Sequence, residues 1–120
     1  MKIVVKRVYE AAAKDDGFRI LVDRLWPRGV SKEKAHVDLW LKNIAPSTEL
    51  REWFNHEADK WPEFKRRYRE ELRNTPDAVR EFHDATRGQE TVTLVYGAKD
   101  EQHNQAVALQ EILSRRPSDD

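Results

Sequence analysis

The chain has 120 residues, 38% of them hydrophobic and 37% charged, and its 22 Lys+Arg are balanced by 22 Asp+Glu. That length suits one domain with a real core, and a formal net charge of zero argues against dependence on non-specific nucleic-acid affinity, which needs positive potential on at least one face. The absence of cysteine removes disulfides, thiolate catalysis and cysteine-ligated zinc or iron–sulfur sites together.

The opening segment, MKIVVKRVYE, meets charge by Lys6, so no secretory apolar region is expected there. No stretch approaches the roughly 20 apolar residues of a membrane helix, and the expectation is a cytoplasmic protein. Ile3-Val4-Val5, with Val8 beyond, predicts a first strand whose continuous apolar character suits a strand covered on both faces. Asp16-Gly17 is a turn signal, and a second strand runs from about Phe18 to Val22. The linker is short for a parallel crossover; a parallel pair is favoured, with an antiparallel hairpin as the rival.

The stretch Ile20 to Lys32, ILVDRLWPRGVSK, organises the reading of the rest. An apolar strand turns polar at Asp23 and Arg24, sets Trp26 beside Pro27, adds Arg28 and pivots on Gly29. Ser31 then offers an N-cap for a helix. Open α/β folds place ligand sites at such strand-to-loop-to-helix junctions. Downstream, Val37, Trp40, Leu41 and Ile44 fall at i, i+3, i+4, i+7, which predicts one face of an amphipathic helix. Ser47 caps the next helix, with Leu50, Trp53 and Phe54 on its apolar face and an end near His56. Trp61, Phe64, Tyr68 and Leu72 mark a third. Thr75-Pro76 starts a fourth, lined by Ala78, Val79, Phe82 and Ala85 and closed by Gly88. Thr91 to Tyr96 is the last strand, and Asp100 is the expected cap of a final helix carrying Ala106, Leu109, Ile112 and Leu113. Residues 115–120 are read as a frayed polar tail.

These elements predict a single α/β domain over residues 1–114, a small three-layer-like domain with a short, mostly parallel central sheet and several flanking helices. If the strands are parallel, the polar clusters Lys6/Arg7, Asp23/Arg24 and Tyr96/Lys99/Asp100 meet at one sheet edge.

Four stretches carry a family resemblance: VDRLWPRGVSK at Val22 to Lys32, LKNIAPSTELREWF at Leu41 to Phe54, WPEFKRRYREEL at Trp61 to Leu72, and TLVYGAKDEQHNQA at Thr93 to Ala106. With them the chain resembles the YeaO-like proteins, a branch of the domain-of-unknown-function superfamily 488. The resemblance implies one compact α/β domain of bacterial or archaeal cytoplasmic type, and it supplies no catalytic mechanism. Other branches of that superfamily have a cysteine-containing motif after the last strand. Here Tyr96-Gly97-Ala98-Lys99 stands in that place, so thiol or thiolate–metal chemistry does not carry over.

Arg24 and Arg28, with Lys32 nearby, suit bidentate binding of phosphate or carboxylate. The competing structural reading pairs Arg24 with Asp23 or with a helix carboxylate. Asp23 is a candidate general base, ribose-hydroxyl acceptor or metal carboxylate, with orientation of Arg24 or Arg28 as the favoured reading. Trp26 is a candidate stacking surface or a packed loop anchor. Tyr96, Lys99 and Asn104 form a second cluster, in which Tyr96 and Lys99 join Asp23 as candidate catalytic residues and Asn104 is a candidate ligand contact. His56-Glu57 fails the HExxH pattern at Lys60, His56 is otherwise a helix-end residue or an acid/base, and no metal or cofactor is expected. The run Lys65, Arg66, Arg67, Arg69, Arg73 is interrupted by glutamates and reads as a solvated face. The first functional reading is an anionic small molecule, a nucleotide or sugar phosphate, bound in an Arg/Trp-lined site, with turnover left open. A nucleic-acid-associated module and a protein-interaction module are its rivals, and the oligomeric state is open.

Overall fold

The computed structural model describes residues 1–114, so the expected frayed tail at 115–120 lies outside the described residues. Four strands, β1 (Lys2–Arg7), β2 (Phe18–Leu21), β3 (Leu39–Trp40) and β4 (Thr91–Tyr96), form one sheet in the order β1-β4-β2-β3. Every adjacent pair is parallel. Five helices complete the α/β fold: α1 (Lys32–Ala35), α2 (Thr48–Phe54), α3 (Trp61–Arg73), α4 (Pro76–Ala85) and α5 (Gln105–Ser114). The short β1–β2 linker is explained by the order. The two strands run the same way but are not neighbours, because β4 lies between them.

Both faces of the sheet are covered, which is why β2 and β4 read as unbroken apolar runs rather than as alternations. Side chains still alternate along each strand. Ile20, Val22, Val92, Leu94 and Tyr96 join the larger core cluster with Phe54, Phe64, Tyr68, Phe82 and Leu109 of the helices. Leu21 and Val95 point the other way, onto Val8 and Ala35, with Trp26, Val30, Val37 and Trp40 packed against them. One face is therefore roofed by helices, and the other mainly by α1 and the Trp26–Val30 loop.

Residues 37–44 depart from the expected helix. His36 ends α1 in the left-handed region at φ 48°, and the chain then extends. Asp38 N–H donates to the Arg19 carbonyl and Leu41 N–H to the Leu21 carbonyl, so this segment becomes β3 on the edge of β2, followed by a 3-10 turn at Lys42–Ile44. Buried backbone groups of β2 need partners, and supplying them outweighs the 3.6-residue spacing. The supposed single face is split across the sheet: Leu41 and Ile44 enter the larger core, whereas Val37 and Trp40 pack on the opposite side.

Helix starts follow the expected chemistry in two places. Ser31 accepts from Lys34 N–H and Ser47 from Leu50 N–H. Thr75, ahead of the α4 proline, and Asp100, the expected cap of the last helix, act differently. Thr75 has no capping bond and donates instead to the Glu71 carbonyl. Asp100 accepts from Gln102 and His103 N–H in the turn before α5, and it is Asn104 that accepts from Val107 N–H at the start of that helix.

Candidate functional site

All four strands are parallel, so their C-terminal ends lie along one edge, where such sheets leave room for ligands. A cleft of about 470 Å³ opens there. Tyr9 after β1, Asp23 to Arg28 after β2, and Gly97-Ala98 after β4 form its walls; Ala45-Pro46, Arg51, His56 and Gln105 close it from the helical side.

The loop after β2 is rigidly built. Trp26 Nε1–H donates to the Val30 carbonyl at 2.6 Å, and its ring meets Trp40 edge-on at 5.4 Å. Trp40 Nε1–H in turn donates to the Asp23 carbonyl at 2.7 Å. Arg24 reaches across to the α2 approach, donating from Nε to the Pro46 carbonyl and from Nη2 to the Ala45 carbonyl. It pairs with peptide oxygens rather than with Asp23 or a helix carboxylate.

Asp23 sits at the bottom of the cleft between neutral donors. Gly97 N–H donates to Oδ2 at 2.9 Å and the Gln105 amide to Oδ1. The fit at Gly97 is close, since a Cβ there would lie 3.0 Å from Asp23 Oδ2 and 3.3 Å from Pro27 Cβ and would press on both. Burial pushes the Asp23 carboxyl up to about 6, against the Gly97 N–H, the Arg51 charge and the Gln105 amide. A carboxyl held near neutrality by desolvation is a common property of functional clefts.

The structure brings together Asp23, Arg24, Trp26 and Arg28 and places the other candidates elsewhere. Arg28 is exposed at the cleft wall. Lys32 is the exposed first residue of α1, and Lys99 is exposed on the loop beyond Ala98; neither lines the cleft. Tyr96 is 2% exposed in the larger core. Burial, with Glu101 adding to it, raises its hydroxyl above the ordinary value of 10 despite the Asn104 side chain. Asn104 is also buried and spends its amide on Val107 N–H and the Asp100 carbonyl. Among the lining residues with no place in the sequence-based site are the apolar Leu25 and the polar or aromatic Tyr9, Arg51, Gln105 and, except as one weighed alternative, His56. Sequence spacing gives no signal for them, because Gln105 meets Asp23 across 82 positions. Among the described residues, no group of three or more His, Asp or Glu side chains is arranged to hold a metal ion, and no helix is long and apolar enough to cross a membrane.

A family model described as "Inactive DUF488-N3 subclade" matches residues 2–120. The chain is 42% identical over 113 residues to "Uncharacterized protein YeaO" of Escherichia coli, covering 94% of this chain and 97% of that one. It is 41% identical over 115 residues to "Uncharacterized protein Rv3073c" of Mycobacterium tuberculosis, covering 96% of each. No solved structure matches the chain.

Proposed function

We propose that this chain, which belongs to the DUF488 family in its inactive DUF488-N3 subclade, binds an anionic, phosphate-bearing small molecule in the cleft at the C-terminal sheet edge and does not turn it over. The observation that carries the reading is the state of the arginines. Arg24, Arg28 and Arg51 converge on one cleft, and among the described residues none of them forms an ion pair with a carboxylate. Arg19, Arg66, Arg67, Arg80 and Arg87 all do, and Arg7, Arg69 and Arg73, which also lack one among the described residues, do not line the cleft. Guanidiniums left with unspent donors around a concavity are suited to phosphate oxygens. Arg24 is additionally held in place by the Ala45 and Pro46 carbonyls, so little side-chain freedom is lost when it meets an anion.

Binding without turnover agrees with the word "inactive" in the subclade's description and with the placement of two of the three candidate catalytic residues. Tyr96 is buried away from the cleft, and Lys99 stands outside it. The ionised Asp23 at the bottom repels an anion, so the phosphate sits towards Arg28 and Arg51. Thermal-shift and calorimetric titration with inorganic phosphate and ribose 5-phosphate test this. Both should stabilise the protein, and Arg28→Ala should abolish the shift while the far-UV circular dichroism stays unchanged. Equal shifts in the parent and in Arg28→Ala would overturn the assignment.

A further inference from the structure

Resting on that reading of the cleft, a second feature narrows the ligand. Tyr9 and Leu25 are 49% and 67% exposed, and the only other large hydrophobic residue so exposed among the described residues is Met1. Both line the cleft. Apolar surface left open in this way at the mouth of a concavity marks a contact site.

The Tyr9 ring is also fixed in place. Its hydroxyl donates to the Arg28 carbonyl at 2.9 Å. The Arg7 guanidinium lies 4.7 Å from the ring centroid and is itself tied down by Arg7 Nε–H donating to the Ala98 carbonyl at 2.8 Å. A half-exposed aromatic ring held at its hydroxyl and backed by a cation presents a preorganised stacking surface. Trp26, the aromatic that the sequence offers for this role, is committed to Val30 and Trp40. Arg28 joins the two parts of the site, because its carbonyl holds the Tyr9 ring while its exposed side chain lines the cleft. A ring on Tyr9 and an anion on Arg28 therefore lie within the reach of one arginine side chain.

We infer that the cleft takes a planar ring joined to a phosphate through a short polar spacer, the chemistry of a nucleoside monophosphate, with the ring on Tyr9 and Leu25 and the phosphate on Arg28 and Arg51. A sugar phosphate lacks the ring and leaves Tyr9 and Leu25 uncovered.

The test is calorimetric titration of the full chain with adenosine 5′-monophosphate and ribose 5-phosphate at one pH and one ionic strength. The nucleotide should bind roughly tenfold tighter, the increment expected for one base stacked on one aromatic side chain. Tyr9→Ser should bring the nucleotide down to the affinity that the parent shows for ribose 5-phosphate. Tyr9→Phe keeps the ring and should keep most of the preference, which separates stacking from the bond to Arg28. If ribose 5-phosphate and the nucleotide bind equally and Arg28→Ala abolishes both, the anion cleft stands and the ring subsite is overturned. If neither phosphate binds, both readings fall together. A tenfold preference that survives Tyr9→Ser would also overturn the assignment of the ring to Tyr9.

Discussion

An aspartate stands just outside each end of β2, and opposite chemistry holds the two. Asp16, ahead of the strand, accepts from Arg19 Nη1 at 2.6 Å and from Lys6 Nζ at 3.1 Å. Asp23, beyond the strand, is held by a backbone N–H and a neutral amide. Burial pushes both carboxyls upward. At Asp16 the Ala13 N–H, Lys6 and Arg19 overcome that push and keep the group below its ordinary value; at Asp23 burial prevails and the value reaches about 6. The first arrangement holds one carboxylate between two cations. The second leaves a group at the cleft whose charge changes near pH 6, beside arginines that form no ion pair with a carboxylate. Within one small fold, paired ions mark a structural end and unpaired ones the candidate binding end.

The largest expected effect tests the paired end. Asp16→Ala leaves Arg19, only 3% exposed, without its carboxylate, and should cost about 3–5 kcal/mol in urea denaturation. A loss below about 1 kcal/mol would erase the distinction between the two ends.

Next in size is the response of Asp23 to pH. Its folded-state value is raised, so the folded protein holds this proton more tightly than the unfolded chain does. The associated stability is full below the ordinary value of 3.8 and is lost as pH rises towards about 6. Asp23→Asn should flatten that part of the stability–pH profile and, above pH 6, stabilise the fold by about 2 kcal/mol, with allowance for partial exposure. Asp16 has the opposite sign, contributing stability above 3.8 that is lost as pH falls through its lowered value. Parallel pH profiles for Asp23→Asn and the parent would show that Asp23 carries no such penalty.

A smaller effect concerns the wall of the cleft. Arg24→Ala removes two charge-assisted bonds to the Ala45 and Pro46 carbonyls and should cost about 1–3 kcal/mol. Hydrogen exchange should show faster opening at residues 45–47, with no change around Asp16. The smallest is Tyr9→Phe, where loss of the bond to the Arg28 carbonyl should lower stability by about 0.5–1 kcal/mol in the same denaturation assay. A larger loss would make Tyr9 a structural strut more than a ligand surface.

The sheet edge was legible in the sequence because its signals are local. Short β-branched runs that turn abruptly polar place Asp23, Arg24 and Arg28 at a strand end, and Ser31 and Ser47 mark the helix starts that frame the loop. β3 was not legible. Its four apolar positions satisfy a helical spacing, and only the demand of buried β2 for an edge partner makes the segment extended. The roles of Tyr96 and Asn104 were hidden for a similar reason: the residue type suggested chemistry, but burial turned one to core packing and the other to helix capping.

The sequence by itself determined the elements whose causes lie within a few residues: the apolar strands, the serine caps, the proline start of α4, the cleft loop's composition and the absence of thiol chemistry. The tertiary structure alone decided which distant residues share the cleft, with Tyr9, Arg51, His56 and Gln105 brought to Asp23 and Arg28 by the parallel order β1-β4-β2-β3. It also decided which charges cancel. Arg24 is spent on the Ala45 and Pro46 carbonyls, 21 and 22 positions along the chain, and even Arg19, whose carboxylate is a near neighbour in sequence, completes its bonds on the Ala35 and His36 carbonyls, partners that only the packed fold supplies.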